Sequence, residues 1–175
     1  MIYKKGKREK YSEPTLDRNI DLFIDKYGFT YEEVINIVKR APTVFTLSTK
    51  NLDNKLTYII EKYGKKLVVD NPSILSYKLD TLEHKIEMYA KYSGLSKEEV
   101  EEIVKKYPHI LSYSLDRFLE VSSLIASYLK IDEQEARKYV IKNPRILTRS
   151  YEKIKYVLEK YGENVLRNPS RFLKV

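Results

Sequence analysis

Apolar residues recur every three or four positions through most of the chain. Leu79, Leu82, Ile86 and Tyr89 form one such stripe, and Leu115, Phe118, Val121, Ile125 and Tyr128 form another. A stripe at this spacing covers one face of an α-helix, and no segment shows the two-residue alternation of a half-buried strand. The stripes stop at fixed marks. Tyr27-Gly28, Tyr63-Gly64, Ser93-Gly94 and Tyr161-Gly162 each close one, with Lys26, Lys62, Lys91 and Lys160 in or near the last turn. Glycine just past a helix and lysine in its final turn both satisfy the carbonyl end. Leu129-Lys130 closes a stripe without a glycine.

Shorter helices follow these stops. Thr30-x-x-Glu33, Ser96-x-x-Glu99 and Asp132-x-x-Glu135 are capping boxes, with Phe29, Leu95 and Ile131 placed as hydrophobic staples. The short helices end before Pro42, Pro108 and Pro144, because proline disfavours a helical residue ahead of it. Two of them, at 65–70 and 163–167, are stunted.

The prolines reveal a repeat. Pro72-Ser73-Ile74-Leu75-Ser76-Tyr77-Lys78-Leu79-Asp80 returns thirty-six residues later as Pro108-His109-Ile110-Leu111-Ser112-Tyr113-Ser114-Leu115-Asp116, changed only at the second and seventh positions. Looser copies start at Pro42 and Pro144, and fragments at Pro14 and Pro169 bracket the set. The unit reads as a long helix, a glycine stop, a short helix, a proline and a 3₁₀ turn. Thr46, Ser76, Ser112 and Thr148 read as capping acceptors for that turn or for the next long helix. About five units predict an all-α helical-repeat solenoid of either hand, in one domain from residue 12 to 175. Residues 1–11 read as a flexible basic arm carrying Lys4, Lys5, Lys7, Arg8 and Lys10.

Charge changes the picture. The chain has 175 residues and a formal net charge of +8. Residues 137–175 hold eleven Lys/Arg against three acids, whereas residues 11–136 hold seventeen against twenty-one. A basic end of this kind points to an acidic partner, nucleic acid first. No cysteine is present, so disulfides and thiolate metal sites are excluded. No apolar run approaches the ~20 residues of a membrane span. The start lacks the apolar core of a secretory signal. The expected place is the cytoplasm or nucleoid if the chain is untargeted, and an organelle matrix if a presequence has been removed.

The stretch Gly94-Leu95-Ser96-Lys97-Glu98-Glu99, running on to Tyr107-Pro108-His109-Ile110-Leu111, resembles the repeats of the mitochondrial transcription termination factor (mTERF) family. Gly28-Phe29-Thr30-Tyr31-Glu32-Glu33, running on to Pro42-Thr43-Val44-Phe45, is similar, and the likeness spans roughly residues 14–173. It implies a left-handed superhelix with a basic concave groove for duplex DNA or structured RNA, and a role in transcription or gene expression. Tetratricopeptide and pentatricopeptide arrays share the period, but their small-residue patterns between helices are absent.

The candidate contact residues are Arg145, Arg149, Lys153, Lys142, Arg167 and Arg171, with Arg117 and Lys78 from earlier copies. Arg149, Lys153, Tyr156 and Lys160 read as one helical face, opposite a buried face of Tyr151, Ile154, Val157, Leu158 and Tyr161. Such cations bind phosphate with little sequence information. The sixteen tyrosines read mainly as core, with Tyr77 and Tyr113 as candidates for stacking on bases. His84 and His109 lack the spacing of metal ligands, and His109 reads as a variable turn residue. No phosphate loop or acid–base pair stands out, so no catalytic residue, metal or cofactor is expected. The expected activity is binding by a monomer, without catalysis and without a membrane. A protein–protein adaptor using the solenoid surface is the alternative.

Overall fold

The computed structural model describes residues 13–174; the basic segment at 1–11 lies outside the described residues. Every regular element among the described residues is helical. Contacts divide the chain into two compact units, parted after Leu79.

The first unit holds α1 (Glu13–Asp21), which runs on through a π-turn at Leu22–Lys26, then α2 (Tyr31–Arg40), α3 (Thr49–Tyr63) and α4 (Lys65–Asp70). Its 3₁₀ turns are Pro42–Thr46 and Pro72–Ser76. Phe23 is the hub of its core, with Phe29 edge-on at 5.0 Å and Phe45 stacked at 5.3 Å. Phe29 is the residue placed ahead of the Thr30 cap as a staple, and it is fully buried. Val34 and Ile37 of α2, and Leu52, Leu56 and Ile59 of α3, complete the stripe that the 3–4 spacing predicts.

The second unit holds α5 (Leu79–Ser93), α6 (Lys97–Lys106), α7 (Leu115–Leu129), α8 (Glu133–Lys142), α9 (Tyr151–Tyr161) and α10 (Asn164–Arg167). Its turns are Pro108–Ser112, Pro144–Thr148 and Pro169–Leu173. Tyr89 and Phe118 meet edge-on at 5.2 Å in its core, beside Ile86, Val121 and Ile125. The stunted helices are α4 and α10, where the sequence places them.

The proline turn has one geometry throughout. The residue before each proline (Ala41, Asn71, Tyr107, Asn143 or Asn168) sits at φ between −127° and −141°, outside the helical region. The aliphatic or aromatic pair two residues on is buried in Val44-Phe45, Ile74-Leu75, Ile110-Leu111 and Ile146-Leu147. Each proline therefore ends a short helix and plugs two side chains into the core.

Caps differ from expectation in two respects. Thr30–Glu33 and Ser96–Glu99 form complete capping boxes. Asp132 instead takes both the Gln134 and Glu135 amides itself, without a return bond from Glu135. The turn hydroxyls do not cap the long helices: Thr46 donates back to Thr43 O at 2.8 Å and Thr148 to Arg145 O at 2.7 Å. The caps stand two residues later, where Ser48, Ser114 and Ser150 accept the Asn51, Arg117 and Lys153 amides. Lys78 occupies that register ahead of α5 and has no oxygen with which to accept.

All four predicted glycine stops have positive φ. At Gly94 a Cβ would also meet Gln134 Nε2 at 2.1 Å, so the glutamine side chain would have to swing aside. The stop without glycine has positive φ as well: Lys130 lies in the left-handed region at φ 53°, ψ 38°.

Candidate nucleic-acid interface

The proline turns expose carbonyls at their far ends, and the long helices supply side-chain donors to them. Asn19 Nδ2 of α1 donates to Phe45 O at 3.1 Å and Leu47 O at 2.9 Å. Lys55 of α3 reaches Leu75 O at 2.7 Å, and Lys85 of α5 reaches Leu111 O at 2.5 Å. The Tyr89 hydroxyl donates to Ile110 O and Tyr113 O. Burial holds the Lys55 and Lys85 ammonium groups below their ordinary range. These two lysines hold repeats together and are not offered to an external anion.

Further along the second unit the same device uses arginine. Arg117 Nη2 of α7 donates to Arg149 O, and Arg149 Nη2 donates to Leu173 O at 2.9 Å. The Arg117 guanidinium also lies 4.3 Å from the centre of the Tyr151 ring, whose hydroxyl donates to Glu120. Arg149 precedes α9 in an extended conformation at φ −92°, ψ 147°. It is therefore not on one helical face with Lys153, Tyr156 and Lys160, as its spacing implies. Serine at 150 caps the helix, so position 149 belongs to the turn.

The turns at Pro108, Pro144 and Pro169 line an open hollow of about 460 Å³ formed by His109, Tyr113, Arg145, Thr148, Arg149 and Leu173. The Arg145 guanidinium is 5.8 Å from the Tyr107 ring centre. The His109 imidazole stands edge-on to Tyr107 and to Tyr113, each at 6.2 Å. Burial first, and the Arg145 charge second, hold His109 below the ordinary imidazole range. Among the described residues, Arg117, Arg145 and Arg149 form no ion pair with a carboxylate. Two cations, a phenol and an imidazole around one opening make a seat for an anion or for the face of a planar ring.

The other predicted residues lie apart from this hollow. Lys142 and Arg167 are exposed at the last turns of α8 and α10. Arg171 is half-buried, 4.3 Å from the centre of the Tyr161 ring. Lys153 is exposed in the first turn of α9. Lys78 is exposed in the first unit. His109 is the residue that sequence reasoning passed over: its repeat position varies, and only the fold shows it beside Arg145.

The tyrosine reading needs correction. Of the described tyrosines only Tyr63 and Tyr89 are fully buried, while Tyr31, Tyr128, Tyr151 and Tyr156 are exposed. Tyr151 therefore leaves the buried face predicted for α9, which Ile154, Val157 and Leu158 supply. The hydroxyls explain the shift, because they reach polar partners such as Asp53 from Tyr27, Val165 O from Tyr139 and Glu159 from Tyr128. No group of His, Cys, Asp and Glu among the described residues is arranged to hold a metal. No described helix is long and apolar enough to cross a membrane.

Comparison with known proteins gives the family. Transcription termination factor MTERF8, a chloroplastic protein of Arabidopsis thaliana, is 28% identical over 97 residues, which cover 54% of this chain and 19% of that protein. The chain thus matches about a fifth of that relative's length. No solved structure matches. The mTERF family model matches residues 9–82 and again 80–164. Carrying the repeated proline turn and matched along nearly all of its length, the chain belongs to the mTERF family.

Proposed function

We propose that this protein binds nucleic acid, duplex DNA or structured RNA, through the basic surface of its second unit, and serves transcription or another step of gene expression without catalysing a reaction. The observation that carries this reading is the gathering of Arg145 and Arg149 with Tyr113 and His109 at one opening, with no carboxylate paired to either arginine among the described residues. Lys142, Lys153 and Arg167, exposed elsewhere in the same unit, and the half-buried Arg171 add to its positive charge. The phosphate backbone supplies the attraction, and the family supplies the context.

Fluorescence anisotropy with labelled duplex DNA, single-stranded DNA and hairpin RNA, over a series of salt concentrations, tests it. The expected result is a Kd below ~1 μM for a duplex or hairpin, with log K falling against log salt by roughly 0.9 per duplex phosphate neutralised. Binding that is absent, or indifferent to salt, for all three probes would contradict it and turn attention to a protein partner.

A further inference from the structure

We propose that the hollow between the Pro108, Pro144 and Pro169 turns seats one phosphate group on Arg145 and Arg149, and that His109 takes up a proton as that phosphate arrives. This rests on the nucleic-acid reading and adds to it a specific seat and a dependence on pH.

The argument starts from what surrounds His109. Its Nε2 is enclosed and has no hydrogen-bond partner, and the same is true of Arg149 Nε. Tyr107, from the end of α6, and Tyr113, from its own turn, face its ring. Arg145 and Arg149 come from the next turn and share the hollow with it. Lys85 of α5 is tied to Leu111 O two residues along, and Arg117 of α7 lies near Tyr113. Every charged group in that set is a cation, so the hollow's own residues oppose a charge on the imidazole. A phosphate on the two arginines cancels part of their charge. The charged imidazole is then less opposed, and protonation and binding assist one another. Because Nε2 is enclosed, the coupling acts through charge across the wall of the hollow and needs no direct bond to the anion.

The shared chemistry is a tetrahedral phosphate oxyanion, from a nucleic-acid backbone or from free phosphate. The test uses the full chain with His84→Gln, which leaves one histidine to follow by proton NMR. The imidazole titration is recorded alone, with saturating duplex oligonucleotide and with inorganic phosphate. The midpoint is expected below the ordinary imidazole range in the free protein and to move up when the oligonucleotide is bound. Movement with inorganic phosphate too means that the seat takes a free oxyanion; movement with the oligonucleotide alone means that it needs the polymer. Both support the proposal. Oligonucleotide affinity is expected to rise as pH falls from 8 to 6, by at most about tenfold per pH unit for one proton. His109→Asn is expected to remove that rise. A bound oligonucleotide with an unmoved midpoint, or a pH dependence that persists in His109→Asn, overturns the proposal and leaves the nucleic-acid reading standing. Absence of oligonucleotide binding at every pH overturns both.

Discussion

Lys130 stops α7 at a positive φ, which the other long helices reach with glycine. An L side chain there is strained, so Lys130→Gly is expected to raise stability by about 0.5–1 kcal/mol, read from urea unfolding. An unchanged or lower stability would count against strain at this position. His109 gives a second prediction at this scale. Its imidazole is held below its ordinary range, so the folded chain binds that proton less readily than the unfolded chain does. Stability is then full above the unfolded value of about 6.5 and is lost as pH falls below it, down to the folded midpoint. His109→Gln is expected to flatten stability over that interval, and a curve parallel to wild type would refute the assignment. Arg149 and His109 mark the limit of what spacing reveals. Arg149 falls at helical intervals from Lys153 and Lys160, yet Ser150 starts the helix one residue later. His109 varies among the repeats, and only the packing of one turn on the next places it beside Arg145.

The elements were mostly legible, because their punctuation is local. Glycine stops, N-cap signals and prolines fix where α2, α3, α5, α6 and α8 begin or end, and the structure has those limits. Cap identity was less so. A hydroxyl four residues past proline and another six residues past it look alike in sequence, and only the backbone shows which faces the free amides. Ser114→Ala is therefore expected to cost about 1 kcal/mol, whereas Ser112→Ala should cost less. Lys78→Ser supplies the missing cap of α5 and should stabilise by a similar amount, measured in the same unfolding series. Equal effects at 112 and 114 would reverse the assignment. The side-chain ties to the turn carbonyls were not legible at all, since Asn19, Lys55, Lys85 and Arg117 bring three different residue types to the same task. Arg149→Ala removes the donor to Leu173 O and should destabilise the second unit by roughly 1–3 kcal/mol. Loss of binding in that variant would accordingly report on folding as well as on contact.

At the scale of the whole chain, family and charge speak to function together. The mTERF match covers both units, while the basic excess lies at residues 137–175, in the second. Nucleic-acid binding through that excess is the central claim. Arg145 is the residue on which to test it: it is exposed, lines the hollow and makes no tie to another repeat comparable to that of Arg149. The most direct measurement is the salt dependence of duplex binding for wild type beside Arg145→Gln and the double variant Lys142→Gln/Arg145→Gln, with unfolding curves confirming that all three fold alike. The expected result is a slope of log K against log salt that becomes shallower by up to about 0.9 for each phosphate contact removed, with affinity falling in step. Identical slopes and affinities for all three proteins would place the nucleic acid elsewhere, or nowhere, on this chain.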